Sequence, residues 1–309
     1  MENFKRRNFL RTLATLSAVP GFGNFSLATA RPFNRSVKAG SNRFKISLNA
    51  YSFNAPLTSG KTNLDAVLEF CAEQNFDAID LTGYYLPGYP QIPADEFLFN
   101  IKRKAHRLGL EISGTGIRND FAASEKTKRL SEVKFVKSWI EVAAKLGAPV
   151  IRIFTGKVLP PGELWEEVAN RITDDIISCV EHGKKYGVTV AVQNHNDFIK
   201  TADEALQIIK KVNSEWFGLV LDTGSFVTLE PYGEIQKTAS YAVNWQIKEK
   251  LNYQGKEELM DLEKLFRIIN ASSYRGYLPI ETLSADDPFV TVPVFLKQVR
   301  AAMEKVIDG

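Results

Sequence analysis

The stretch "VTVAVQNHNDF", residues 188–198, reads as a buried strand running into a polar mouth. Val188, Val190 and Val192 alternate with Thr189 and Ala191, and successive side chains of a strand point to opposite faces. The valines therefore belong against helices, while Thr189, Ala191, Gln193 and His195 belong on an inner face. Just upstream, "KYGVTV" ends a helical stretch with glycine and starts the strand at once. "KLGAPV", at 145–150, repeats the device.

Outward from this strand the chain alternates. Short apolar runs occur at 45–53, 76–84, 110–117, 149–156, 188–195, 217–224, 242–250 and 277–283. Helical candidates follow them, among them 63–74, 131–147 and 201–212. "PPGELWEEV" (160–168) opens another, with prolines and acids in its first turn. Strand–helix alternation implies a parallel sheet with right-handed crossovers. Eight such units predict an α/β chain closed into a (β/α)8 barrel. An open doubly wound sheet is the alternative, but no glycine-rich phosphate turn follows the first strand.

Residues 1–30 read as an address. "KRRNFLRTL" sets Arg6 and Arg7 before an apolar run that ends at Ala28-Thr29-Ala30, a charged region, an apolar region and a small-residue cleavage site. The arginine pair resembles a twin-arginine export signal, which implies a periplasmic protein. A membrane anchor is the alternative, disfavoured by the short run and its Pro20, Gly21 and Gly23. Residues 31–43 read as a linker and 44–309 as a single barrel domain. The whole chain has 39 basic and 36 acidic residues; the leader takes Lys5, Arg6, Arg7 and Arg11 against Glu2, so 35 of each remain. A neutral mature chain lacks the excess charge that holds nucleic acid, and no other segment is apolar enough for stable membrane insertion. Cys71 and Cys179 have no metal or redox spacing and are expected as buried free thiols.

Alternation places one polar inward residue near the C-terminal end of each strand, where barrel enzymes keep their sites. These are Asn49, Asp80, Thr115, Arg152, Gln193, Asp222, Lys248 (with Asn244 and Gln246 on the same face) and Glu281. In the seventh strand Val243, Trp245 and Ile247 are expected to face out. Unpartnered buried polar groups are costly, so eight converging on one mouth point to a site. Arg152 with Asp80 remains open to being a structural ion pair. Tyr51, Phe53, Tyr84, Tyr85 and Phe154 lie near the strand ends and are candidates for stacking on a sugar ring or for loop packing.

From about residue 45 onward, "VQNH", "LDTGS", "NWQIKEK" and "PIETL" make the chain resemble the xylose isomerase-like barrels, the sugar phosphate isomerase/epimerase group. The resemblance implies one divalent metal held by a Glu ending strand five, an Asp ending strand six, a His in strand seven and a Glu ending strand eight. By position these fall on Gln193, Asp222, Gln246 and Glu281, so two ligands are kept and two are replaced by amides. That set favours an oxygen-loving ion, Mn²⁺ or Mg²⁺, over Zn²⁺. The resemblance further implies a small-molecule sugar or glycoside as substrate, contacted by Asn49, Asp80, Arg152, Gln193 and Tyr84. Two glutamates trading a proton across a sugar carbon are not available. Single-base enolisation by Glu281 is, with a metal or Lys248 on the enolate oxygen and His195 as a further proton carrier. Isomerisation of a keto sugar is the leading expectation, with elimination from or hydration of a 3-keto sugar or glycoside second and a non-catalytic sugar-binding barrel third. A histidine-rich multi-metal nuclease is disfavoured, since the chain has only His106, His182 and His195.

Overall fold

A computed structural model describes residues 44–195, 198–253 and 255–307. The expected leader and linker lie outside the described residues. Eight parallel strands close into a barrel: β1 (Lys45–Asn49), β2 (Ala78–Thr82), β3 (Glu111–Gly116), β4 (Val150–Ile153), β5 (Thr189–Gln193), β6 (Phe217–Asp222), β7 (Ala242–Lys248) and β10 (Tyr277–Glu281). Each expected strand is present, and the sheet closes where β10 pairs with β1. The hairpin β8 (Lys250–Tyr253) and β9 (Lys256–Leu259) extends the end of β7 and was not anticipated.

Local chemistry sets the helix boundaries. Asn63, Thr201 and Asp261 each accept a backbone N–H from the first helical turn, and Thr201 with Glu204 forms a reciprocal capping box. Gly147 and Gly187 end the long helices Lys126–Leu146 and Trp165–Tyr186 at φ +80° and +68°, a left-handed conformation open to glycine. Pro160 and Pro161 lie in the loop before Trp165 rather than in the helix, with Glu166 and Glu167 in its first turn. The core is the layer between strands and helices, where Val188, Val190, Val192, Leu219 and Leu221 are buried. Cys71 and Cys179 are buried free thiols there, each with its pKa raised by burial. A smaller apolar cluster of Val150, Ala191 and Val220, with Val243 packed against it, forms separately. Among the described residues no helix is long and apolar enough to cross a membrane.

Two register shifts break the simple alternation. Between β2 and β3, Ile79 pairs with Ile112 but Asp80 pairs with Gly114, which leaves Ser113 as an extra residue. Between β6 and β7, Leu219 pairs with Ala242 and Val220 with Asn244, which leaves Val243 over. Val243 therefore joins the Val220 and Ala191 cluster rather than facing out, a correction to the alternation reading. Trp245 and Ile247 remain on the outer, core face. Thr115 is also corrected. It pairs with Leu81 and Ile151, shares their outward face, and donates to the Leu81 carbonyl.

Candidate active site

Strand register assembles the C-terminal mouth. Glu281 of β10 stands beside Lys248 of β7, Asp222 of β6 stands beside Gln246 of β7, and Gln193 of β5 stands beside Val220. Asp222, Glu281 and Gln193 are almost wholly buried, at 0%, 2% and 3% exposure. The Lys248 side chain is 14% exposed, and its Nζ lies 3.3 Å from Asp222 Oδ2 and 3.7 Å from Glu281 Oε1. Gln193 Nε2 donates to Asp222 Oδ2 at 2.6 Å and approaches Gln246 Oε1 at 3.3 Å. Gln246 Nε2 donates to Glu281 Oε2. Asp222 Oδ1 accepts from the Gly224 backbone at 3.0 Å.

The backbone is locked around this network. Asn194 and Asp222 exchange two hydrogen bonds, Nδ2 to the Asp222 carbonyl at 2.9 Å and the Asp222 N–H to Oδ1 at 2.8 Å. The Lys248 N–H donates to Thr223 Oγ1 at 3.0 Å. Asn194 was not singled out in the sequence, because its role is to hold the Asp222 backbone.

The electrostatics follow from burial. Burial pushes the Glu281 carboxyl up to about 7, with Lys248 pulling it down and Asp222 pushing it further up. Burial disfavours the Lys248 ammonium, but Asp222 and Glu281 more than offset that and hold its pKa above the ordinary value. Lys248 is therefore charged at neutral pH, and Glu281 is poised to gain or lose a proton there.

The donor set does not fit the divalent metal that the resemblance implies. Each inward carboxylate oxygen of Asp222 and Glu281 already faces an N–H donor. The amides turn nitrogen, not oxygen, toward the carboxylates. A second cation would also meet the Lys248 ammonium, and like unit charges about 4 Å apart repel by about 4 kcal/mol at an effective dielectric of 20. Among the described residues no three His, Cys, Asp or Glu side chains gather to hold a metal ion.

Above the network opens a cavity of about 430 Å³, lined by Asn49, Tyr84, Arg152, Gln193, His195, Gln246, Lys248 and Glu281 among others. Its size suits a small molecule. Asn49 accepts from the Tyr51 N–H at 2.9 Å, and Thr82 donates to it at 3.3 Å. Arg152 makes no pair with Asp80. It donates to the Ile117 carbonyl and the Tyr84 hydroxyl, and its guanidinium lies 4.2 Å from the centre of the Phe154 ring. The His195 ring lies 5.1 Å from Phe154 and lines the same wall.

Two of the residues expected to contact substrate or metal stand outside the cavity lining. Asp222 is sealed beneath it, and Asp80 meets Asn244 at 3.4 Å inside the barrel, its pKa raised by burial to about 6 against the pull of Arg152. Two of the aromatic candidates follow the packing alternative and not the stacking one. Phe53 is fully buried against Phe70 and Phe289, and the Tyr85 hydroxyl donates to Asn54, away from the cavity lining. Tyr51, Tyr84 and Phe154 do line the mouth. Arg118 and Lys157 were missed. They sit on loops after β3 and β4, where alternation says nothing; the signal available was a cation just past each strand, in "GIRND" and "FTGK".

Comparisons with known proteins agree with this architecture. A family model described as xylose isomerase-like TIM barrel matches residues 68–302. The D-psicose 3-epimerase from Clostridium cellulolyticum, solved with D-tagatose, has a TM-score of 0.69 at 16% identity, covering 84% of this chain and 99% of that one. An IolI protein solved with a binding zinc atom has a TM-score of 0.65 at 17% identity, covering 85% and 98%. In sequence, the chain is 26% identical over 189 residues to a C-glycoside deglycosidase alpha subunit from Arthrobacter globiformis, covering 58% of this chain and 47% of that relative. The match thus spans about half the relative's length.

Proposed function

The chain belongs to the xylose isomerase-like TIM barrel family, and on that footing we propose that it is a carbohydrate-active enzyme that removes a proton from the carbon next to a sugar carbonyl. The observation that carries this reading is Glu281, a buried carboxyl raised to about 7 at the floor of a cavity of sugar size. Glu281 takes the α proton, the C–H electron pair becomes the carbon–carbon double bond, and the carbonyl π pair moves onto oxygen as an enolate. Return of the proton to the neighbouring carbon completes isomerisation of a keto sugar. Asn49, Arg152 and Tyr84 are placed to hold substrate hydroxyls, and His195 to carry a proton between oxygens.

A second reading is elimination from an oxidised glycoside. It is favoured by the likeness to a C-glycoside deglycosidase subunit. The first step is identical, but the enolate then expels the substituent β to the carbonyl. A non-catalytic sugar binder is the rival from another class. The paired Arg6 and Arg7 and the apolar run to Ala30 support export to the periplasm, where free or oxidised sugars rather than sugar phosphates are the substrates. Fractionation of cells carrying Arg6→Lys with Arg7→Lys tests the export.

Proton NMR in D₂O with keto sugars and 3-keto glucosides tests the enzyme reading. Deuterium entering the α carbon without loss of the aglycone indicates isomerase chemistry, and release of the aglycone indicates elimination. Tight binding of a sugar with no exchange and no product would leave only the binder.

A further inference from the structure

The network at the mouth holds two carboxylates and one ammonium, and its donors and acceptors match. Asp222 receives Gln193 Nε2, Lys248 Nζ and the Gly224 N–H. Glu281 receives Gln246 Nε2 and Lys248 Nζ. A buried charge is tolerated when paired and hydrogen-bonded, and Lys248 answers two carboxylates at once. An amide at 193 and another at 246 are what such a network needs. A glutamate at 193 would face Asp222 with like charge, and the amide nitrogen of Gln246 supplies a donor to Glu281.

We propose that Lys248 is the built-in cation of this site and takes the place of a divalent metal, so that the barrel mouth works metal-free. Gln193 and Gln246 are then positioning residues that orient Asp222 and Glu281 around the ammonium. Lys248 lines the cavity, so one of its N–H groups is available to hydrogen-bond a substrate carbonyl oxygen beside Glu281. That last role rests on the enolisation reading; the place of Lys248 as the cation does not.

The test is elemental analysis of the purified full chain, followed by calorimetric titration with MnCl₂, ZnCl₂ and MgCl₂. Wild type is expected to carry no stoichiometric metal and to bind none at the mouth. Lys248→Met leaves two carboxylates uncompensated, and its Mn²⁺ affinity is expected to exceed that of wild type by about tenfold or more. One ion bound per wild-type chain overturns the proposal, and so does a Lys248→Met chain that binds Mn²⁺ no more tightly than wild type. Lys248→Arg serves if the methionine variant fails to fold. It keeps the charge and should stay metal-free, and stoichiometric uptake by it would equally overturn the assignment. The two readings fail separately. Metal results as expected, with no exchange into any keto sugar, support the cation and sink the enolisation. Exchange that vanishes on chelation and returns with Mn²⁺ sinks the cation and keeps the enolisation.

Discussion

Glu281 and Gln193 show what a single position decides. Burial holds the Glu281 carboxyl near 7, so as a base it is half-protonated at neutral pH. The kcat/KM for exchange should rise with pH through about 7 and level off above it, since only the carboxylate accepts a proton. A profile flat between about pH 5 and 9 would remove Glu281 from that role. Glu281→Gln should lower the exchange rate by roughly 10²- to 10⁴-fold while sugar binding, read by titration, persists. At Gln193 the amide N–H lies 2.6 Å from Asp222 Oδ2, so Gln193→Glu sets two carboxylates against each other in a buried site. Its melting temperature at pH 7 should fall by several degrees, at roughly 2–4 °C per kcal/mol for a domain of 150–250 residues. An unchanged melting temperature would mean that residue 193 does not hold Asp222. That the strand ends in glutamine was plain in the sequence, but which end of the amide faces the carboxylate was not, because both ends occupy the same space.

At the scale of elements, alternation located the site on straight strands and failed where strands carry an extra residue. Val190 and Val192 on β5, with Val188 just before it, and Leu219 and Leu221 on β6 face the helices as their spacing implies. On β3 and β7 the extra residues Ser113 and Val243 reverse the parity, which moved Thr115 and Val243 to the wrong faces in the sequence reading. The bulge on β3 has a purpose legible only in three dimensions. It presents Gly114 and Gly116 inward, where an added Cβ would lie 2.6 Å from Asp80 Oδ2 and 2.7 Å from an Arg152 nitrogen. Gly116→Ala should therefore displace the Arg152 guanidinium from Ile117 and Tyr84 and destabilise the chain by about 1 kcal/mol, measured by denaturant unfolding. A loss within error would show that Arg152 is free to move. The loop cations Arg118 and Lys157 escaped notice for a different reason: beyond a strand end, no period relates sequence position to direction.

For the whole molecule, the eightfold repeat of strand and helix and the glycine helix ends made the barrel legible, while the β8–β9 hairpin was hidden inside what read as the end of one strand. Closure of the barrel also buries charge outside the cavity lining, and Asp80, the strand partner of Asn49, is the clearest case. Its carboxyl rises in the fold from an ordinary 3.8 to about 6, so between those values the native state binds more protons than the unfolded chain. Its contribution is fully present below about 3.8 and is lost as pH rises through about 6. Asp80→Asn should remove that slope and gain up to about 3 kcal/mol over wild type at pH 8, compared by urea midpoints at pH 5 and 8. Equal pH dependence in the two proteins would place the buried charge elsewhere. Among the described residues, the barrel brings the buried Glu281 carboxyl and the Lys248 ammonium beside it to a single mouth. The most direct measurement is solvent-deuterium exchange into a keto sugar by the chelator-treated full chain, run beside Glu281→Gln. The account predicts undiminished exchange without metal, lost in the variant; exchange that needs added Mn²⁺, or that survives Glu281→Gln, would contradict it.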